Sequence, residues 1–187
     1  MLYINGQKHQ VRDHEAFMPL ANYLRYSRQK TGTKIVCAEG DCGACSVLYV
    51  RARRNINNSE STYQAMNSCI APVYRMNGCH VVTVEGLCQK NQAHPVQESM
   101  SQNHGGQCGY CTPGMVIALT AMFEKDSKKS EQRIRNHLTG NLCRCTGYAP
   151  IINSAMATQT TDYKRLNDRY NNPEMWHQLK THISSSA

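Results

Sequence analysis

Three thiols stand within nine residues, in Cys37-Ala38-Glu39-Gly40-Asp41-Cys42-Gly43-Ala44-Cys45, at the spacing C-x4-C-x2-C. A fourth, Cys69, follows after 23 intervening residues. One tight loop of thiolates closed by a distant Cys is the donor pattern of a plant-type [2Fe–2S] cluster. Gly40 and Gly43 suit this loop, because a residue without Cβ takes φ > 0 and lets backbone N–H groups turn toward the cluster sulfurs.

Two further pairs, Cys108-Gly109-Tyr110-Cys111 and Cys143-Arg144-Cys145, lie in the second half. Each is followed by the opening of an apolar, helix-like stretch, at Thr112-Pro113-Gly114 and Thr146-Gly147. Thr112 and Thr146 read as N-caps, and Pro113 as a first helical residue. Two helix N-termini aimed at one spot would stabilise an anion there. Cys108, Cys111, Cys143 and Cys145 therefore read as a second four-thiolate site. A closed tetrahedral zinc centre is the rival occupant of such paired cysteines. The C-x-C pair and the first site favour a second cluster.

The elements that must position these thiols follow from pattern. Leu2–Asn5 and Lys8–Arg12 read as strands around Gly6-Gln7, Pro19–Arg28 as a helix, and Ser46–Val50 and His80–Glu85 as strands. Arg51–Thr62 is a polar, Asn-rich loop without assignable chemistry. This describes a small β-grasp domain ending near Leu87. From His94 the period turns helical, with helices expected over His94–Asn103, Thr112–Lys125, Ser130–Leu138 and Gly147–Thr158. The fold class expected is α+β: residues 1–87 a [2Fe–2S] β-grasp domain, 88–158 a helical [2Fe–2S] domain, 159–187 a polar tail. Tyr163, Leu166, Tyr170, Met175, Trp176 and Leu179 in that tail suit either an arm docking on a partner or a cover for the chain's own surface.

The 187 residues carry ten Cys and a formal charge of +8. Two clusters of about −2 each would lower the charge to about +4, and the cations are dispersed, so nucleic-acid binding is not favoured. The apolar run Met115–Phe123 is too short to span a bilayer. Met1–Gln10 lacks the basic and apolar regions of a secretory signal, and thiols reserved for metal point to the cytoplasm. Cys79 and Cys88 read as small buried apolar residues, and the eight His as surface or helix-end residues. Glu39 and Asp41 read as solvated turn residues, so no catalytic residue is assigned. A Gly-rich nucleotide fingerprint is also lacking.

Cys37–Val47, Gln107–Gly114 and Gly140–Tyr148, with Glu85-Gly86-Leu87 between, resemble in order the signatures of the iron–sulfur part of molybdenum hydroxylases, the xanthine dehydrogenase and aldehyde oxidase family. The resemblance covers residues 1–158. It implies a plant-type ferredoxin domain followed by a four-helix domain, each with one [2Fe–2S] cluster. It also implies a relay of electrons from a molybdopterin site on a large subunit, through the helical-domain and then the ferredoxin-domain cluster, to FAD on another subunit. By the same resemblance Gln107 and Cys145 lie against the pterin. Tyr63–Ile70 looks most like the small subunit of bacterial xanthine dehydrogenases, which points to purine oxidation. An aldehyde or other small-molecule hydroxylase is the alternative, and a free ferredoxin-like carrier a weaker one. Two departures stand out: Ser46 replaces a commoner Thr, and the sequence ends at Ala187 where those subunits continue into an FAD domain, as expected of either a separate FAD chain or a fragment.

Overall fold

The computed structural model describes residues 1–53, 61–89, 91–161 and 163–185, so most of the Asn-rich loop lies outside the described residues. Five short strands form one mixed sheet: β1 (Leu2–Ile4), β2 (Gln7–His9), β3 (Ser46–Arg51), β4 (Gln64–Asn67) and β5 (Cys79–Val82), in the order β2-β1-β5-β3-β4. Asn5 and Gly6, both at positive φ, close the β1–β2 hairpin with Leu2 opposite His9. β5 runs parallel to β1 and antiparallel to β3, and all four of its residues are buried.

Alternation along the strands gives the sheet two apolar faces. Leu2, Ile4, Val47, Cys79 and Val81 pack on one side against Leu20, Tyr23 and Leu24. The last three belong to α1 (Leu20–Asn22) and the π-turn Tyr23–Ser27 that continues it, so the expected Pro19–Arg28 helix is present with a change of pitch. Tyr3, Leu48, Val50 and Val82 face the other way, onto the helical half.

That half is built on α4 (Thr112–Lys125), whose residues Gly114–Glu124 are all buried. A helix apolar all round must be covered on every side. The cover comes from the sheet, α3 (Pro95–Gln102), α5 (Glu131–Leu138) and α6 (Ala149–Ala157), which share one apolar cluster. Val96, Ile134, Leu138, Ile151 and Ile152 each contribute about 1.5–3 kcal/mol by leaving water.

After Thr158 the chain returns across this core in α7 (Leu166–Arg169) and α8 (Pro173–Ser185). Leu166, Met175, Trp176 and Leu179 are buried in the same cluster as Tyr3 and α4. The buried carboxylate of Glu124, its pKa raised by burial, accepts the Tyr163 hydroxyl at 2.8 Å and the Leu166 N–H at 3.1 Å. Tyr170 Oη donates to the Gly86 carbonyl at 2.6 Å, and its ring stands edge-on to His80. The described tail thus seals the seam between β1 and the helices of its own chain.

Several local expectations need correction. The strand expected over His80–Glu85 ends at Val82, because the Asn5 side chain takes the Thr83 N–H at 2.9 Å and the chain turns into α2 (Val84–Leu87). The second strand ends at His9 rather than Arg12. β4 was not expected from sequence. His80 and His94 are fully buried, not surface residues, although His94 does cap α3. Cys79 is buried, but Cys88 is exposed. Among the described residues, no helix is long and apolar enough to cross a membrane.

Candidate metal centre

The loop Cys37–Cys45 curls through three residues at positive φ, Ala38 (60°), Gly40 (87°) and Gly43 (68°). This turns amides inward: the Cys42 N–H lies 3.4 Å from Cys37 Sγ, and those of Cys42, Glu39 and Asp41 pull the Cys37 pKa down to about 6. The same inward N–H groups suit the sulfurs of an anionic cluster. Side chains brace the loop from outside. Asn67 Nδ2 donates to the Gly40 carbonyl, Ser68 Oγ to Cys45 O at 2.6 Å, and Ser46 Oγ to Gly43 O at 2.7 Å. Cys69, beside Cys45, is pushed up to about 12 by burial and by that neighbour.

The second group gathers where α4 and α6 begin. Cys108 and Cys145 are exposed with their sulfurs 3.6 Å apart; Cys111 and Cys143 are half-buried and adjacent. The Tyr110 N–H, then Cys145, draw the Cys108 thiol down. Burial, then Cys143, raise Cys111 to about 12. Burial pushes Cys143 up, but the Thr146 hydroxyl and amide outweigh it, and its pKa is lowered.

All eight candidate thiols thus fall into pairs: Cys37 with Cys42, Cys45 with Cys69, Cys108 with Cys145, Cys111 with Cys143. Among the described residues no three Cys, His, Asp or Glu converge tightly enough for one metal ion. Donors arranged two by two fit a binuclear centre, in which each iron takes two thiolates.

Neither Thr112 nor Thr146 is an N-cap. Cys111 occupies that position for α4 with no side-chain bond, and the buried Thr112 hydroxyl has no partner. Tyr148, at φ +69°, precedes α6, and Thr146 Oγ1 accepts its N–H at 3.1 Å. Tyr148 Oη also accepts the Cys143 N–H at 3.0 Å and donates to the Asn141 carbonyl at 3.1 Å, clamping the Cys143–Tyr148 turn. Gln107 is exposed beside Cys108, and Glu39 and Asp41 are exposed.

The two loops touch. The Leu142 N–H donates to the Cys42 carbonyl at 3.0 Å, and Asn141 Nδ2 to the Gly43 carbonyl at 3.1 Å. Contact this close requires glycine at 43, where a Cβ would lie 2.4 Å from the Gly140 carbonyl oxygen. A hollow of about 540 Å³ opens between them, lined by Cys42, Cys108, Cys111, Cys143 and Cys145 and rimmed by the exposed Val36, Tyr110 and Leu142. Reasoning from sequence gave Asn141, Leu142 and Tyr148 no role in the site, although all three lie in the Gly140–Tyr148 stretch that carries the family resemblance.

Residues 83–156, which contain the second thiol group, match the family model described as "[2Fe-2S] binding domain". The chain is 43% identical over 156 residues to xanthine dehydrogenase 1 of Arabidopsis thaliana and 40% identical over 155 residues to aldehyde oxidase 2 of Cavia porcellus. Each alignment takes in 82% of this chain but only 11–12% of the relative. Among solved structures, quinoline 2-oxidoreductase from Pseudomonas putida 86 superposes with a TM-score of 0.70 at 31% identity, over 96% of this chain and 94% of that one. Aldehyde oxidoreductase from Desulfovibrio gigas gives 0.71 at 27% identity, over 96% of this chain and 18% of that one. The chain belongs to the xanthine dehydrogenase/aldehyde oxidase family of molybdenum hydroxylases and represents its iron–sulfur region.

Proposed function

We propose that this chain is the electron-relay part of a molybdenum hydroxylase and does no substrate chemistry itself. Cys37, Cys42, Cys45 and Cys69 hold one [2Fe–2S] cluster, and Cys108, Cys111, Cys143 and Cys145 the other. Each bound cluster supplies a one-electron store. The division is that read from sequence: a ferredoxin-type β-grasp half over 1–87, a four-helix half over 88–158, and a tail over 159–187, whose described residues pack on the chain's own core.

The observation that carries the reading is the Leu142 N–H bond to the Cys42 carbonyl, 3.0 Å, which joins a thiol residue of one group to the neighbour of Cys143 in the other. The chain's residues hold the two groups against each other, and the buried Cys45 and Cys69 keep water from one side. Partners complete the path: a molybdopterin-bearing large subunit or domain at the helical group, with Gln107 and Cys145 toward the pterin, and an FAD-bearing one at the other. Apolar side chains left exposed beside both groups, Ile70 on one side and Val36, Tyr110 and Leu142 on the other, favour docking over a free carrier. Zinc at the second group is disfavoured by the match of residues 83–156 to a [2Fe-2S] binding domain. Purine oxidation in the cytoplasm is the reading preferred for the whole complex; an aldehyde or similar small molecule is the alternative.

Metal analysis and EPR of the purified complex test this. About four Fe and four labile sulfides per copy of this chain are expected, following two four-thiolate sites. Cys42→Ser is expected to remove one reduced-state EPR signal and Cys143→Ser the other. One iron signal with stoichiometric zinc, or loss of both signals from either change in a folded chain, refutes the assignment.

A further inference from the structure

The hydroxyl of Thr146 sits where it can act on the second group, and neither ligation nor docking uses it. Its Oγ1 lies 3.1 Å from Cys143 Sγ and 3.1 Å from the Tyr148 nitrogen. The direction of both bonds follows from proton inventory. The Tyr148 N–H can only donate, so it fills one lone pair of the hydroxyl. An iron-bound thiolate has no proton to give, so the single hydroxyl proton goes to sulfur.

The surrounding turn holds this geometry. Tyr148 is in the left-handed region at φ +69°, and its own hydroxyl spans the Cys143 N–H and the Asn141 carbonyl. The Cys143 amide is thereby committed to the turn, and Cys143 Sγ is met by the Thr146 hydroxyl together with the Thr146 and Cys145 amides. In the first group Cys37 Sγ likewise receives backbone N–H groups, but no hydroxyl bonds to a sulfur of that group among the described residues.

We infer that Thr146 is a positioning residue that raises the reduction potential of the cluster held by Cys108, Cys111, Cys143 and Cys145, by donating a hydrogen bond to Cys143 Sγ. The inference rests on the ligand assignment proposed above. One-electron reduction adds negative charge to a sulfur-rich group, and a donor aimed at its sulfur stabilises the more negative state more strongly. Both residues are half-buried, so water replaces a lost donor poorly.

The test is an EPR-monitored redox titration of the assembled complex. Thr146→Val keeps the branched shape and removes the donor. It is expected to shift the one-electron equilibrium of that cluster roughly tenfold toward the oxidised form, about 59 mV, with the other cluster unmoved. Thr146→Ser restores the donor and is expected to recover the wild-type potential. Equal potentials in the valine and serine variants overturn the inference. In the wild-type protein the reduced cluster should show a hyperfine-coupled proton that exchanges in D2O at hydroxyl rather than amide rates. Its absence overturns the inference whether or not the valine variant binds its cluster. Absence of a second iron–sulfur signal in the wild-type protein would instead refute the ligand assignment.

Discussion

Replacing Gly43 by alanine tests how closely the two thiol loops must approach. At φ +68° any L side chain costs roughly 1–2 kcal/mol. The new Cβ would also lie 2.4 Å from the Gly140 carbonyl oxygen and 2.4 Å from Asn141 Nδ2. Asn141 can swing away, but a backbone carbonyl cannot without moving the second loop, and such overpacking costs about 1–3 kcal/mol more. Gly109, at φ +80° with nothing within 4 Å of its Cβ, carries the backbone cost alone and is the control. Gly114→Ala approaches from the other side, since its Cβ would lie 2.3 Å from Gly43 O, and carries the collision without positive φ. Urea unfolding followed by circular dichroism separates them. With a slope of about 2 kcal/mol/M, an extra 1–3 kcal/mol moves the midpoint of Gly43→Ala below that of Gly109→Ala by about 0.5–1.5 M. Inter-cluster electron transfer should slow in Gly43→Ala alone of these two. Coincident midpoints and rates would refute the close contact between the loops.

Acid should weaken the fold through its buried histidines. His80 Nε2 accepts the Gly6 N–H at 3.0 Å, which leaves the proton on Nδ1 for Tyr63 Oη, and burial lowers its pKa to about 3. Only the unfolded chain then takes up a proton below pH 6.5, so stability is full above that pH and falls as pH drops toward 3. The slope is about 1.4 kcal/mol per pH unit, or about 2 kcal/mol at pH 5, and His94, lowered to about 3 by burial, acts in the same direction. Urea midpoints measured from pH 7.5 to 5 should fall less steeply in His80→Gln; an unchanged slope rejects the assignment. Glu124→Ala removes the acceptor of Tyr163 Oη and the Leu166 N–H, which should cost about 1–3 kcal/mol. Faster tryptic cleavage at Lys164 and Arg165 would report the loosened tail, and cleavage at the wild-type rate would show that Glu124 does not anchor it.

The gathering of the cysteines was legible because it is local. Cys37, Cys42 and Cys45 share one loop, glycines sit where that loop turns, and Pro113 lies in the first turn of α4, so residue type and spacing carried the grouping of the thiols and the start of the central helix. The other helices of the second half were legible for the same reason, since a 3.6-residue apolar period records which side of each is covered, whereas α4 showed as one apolar run. What local pattern does not record is which distant backbone group a side chain meets. Asn5 ends β5 by capturing the Thr83 N–H, and burial lowers the pKa of His80 while its ring nitrogens meet the Gly6 amide and Tyr63 Oη. The tail gave equal sequence support to an arm and a cover, and nothing in its sequence pattern told that Met175, Trp176 and Leu179 pack beside Tyr3. Tertiary structure also decided that Leu142 meets Cys42, a hydrogen bond between loops a hundred residues apart in sequence. Such a bond depends on how a sheet and a buried helix stack, and the free energy of that stacking is spread over many apolar side chains that each look alike in sequence.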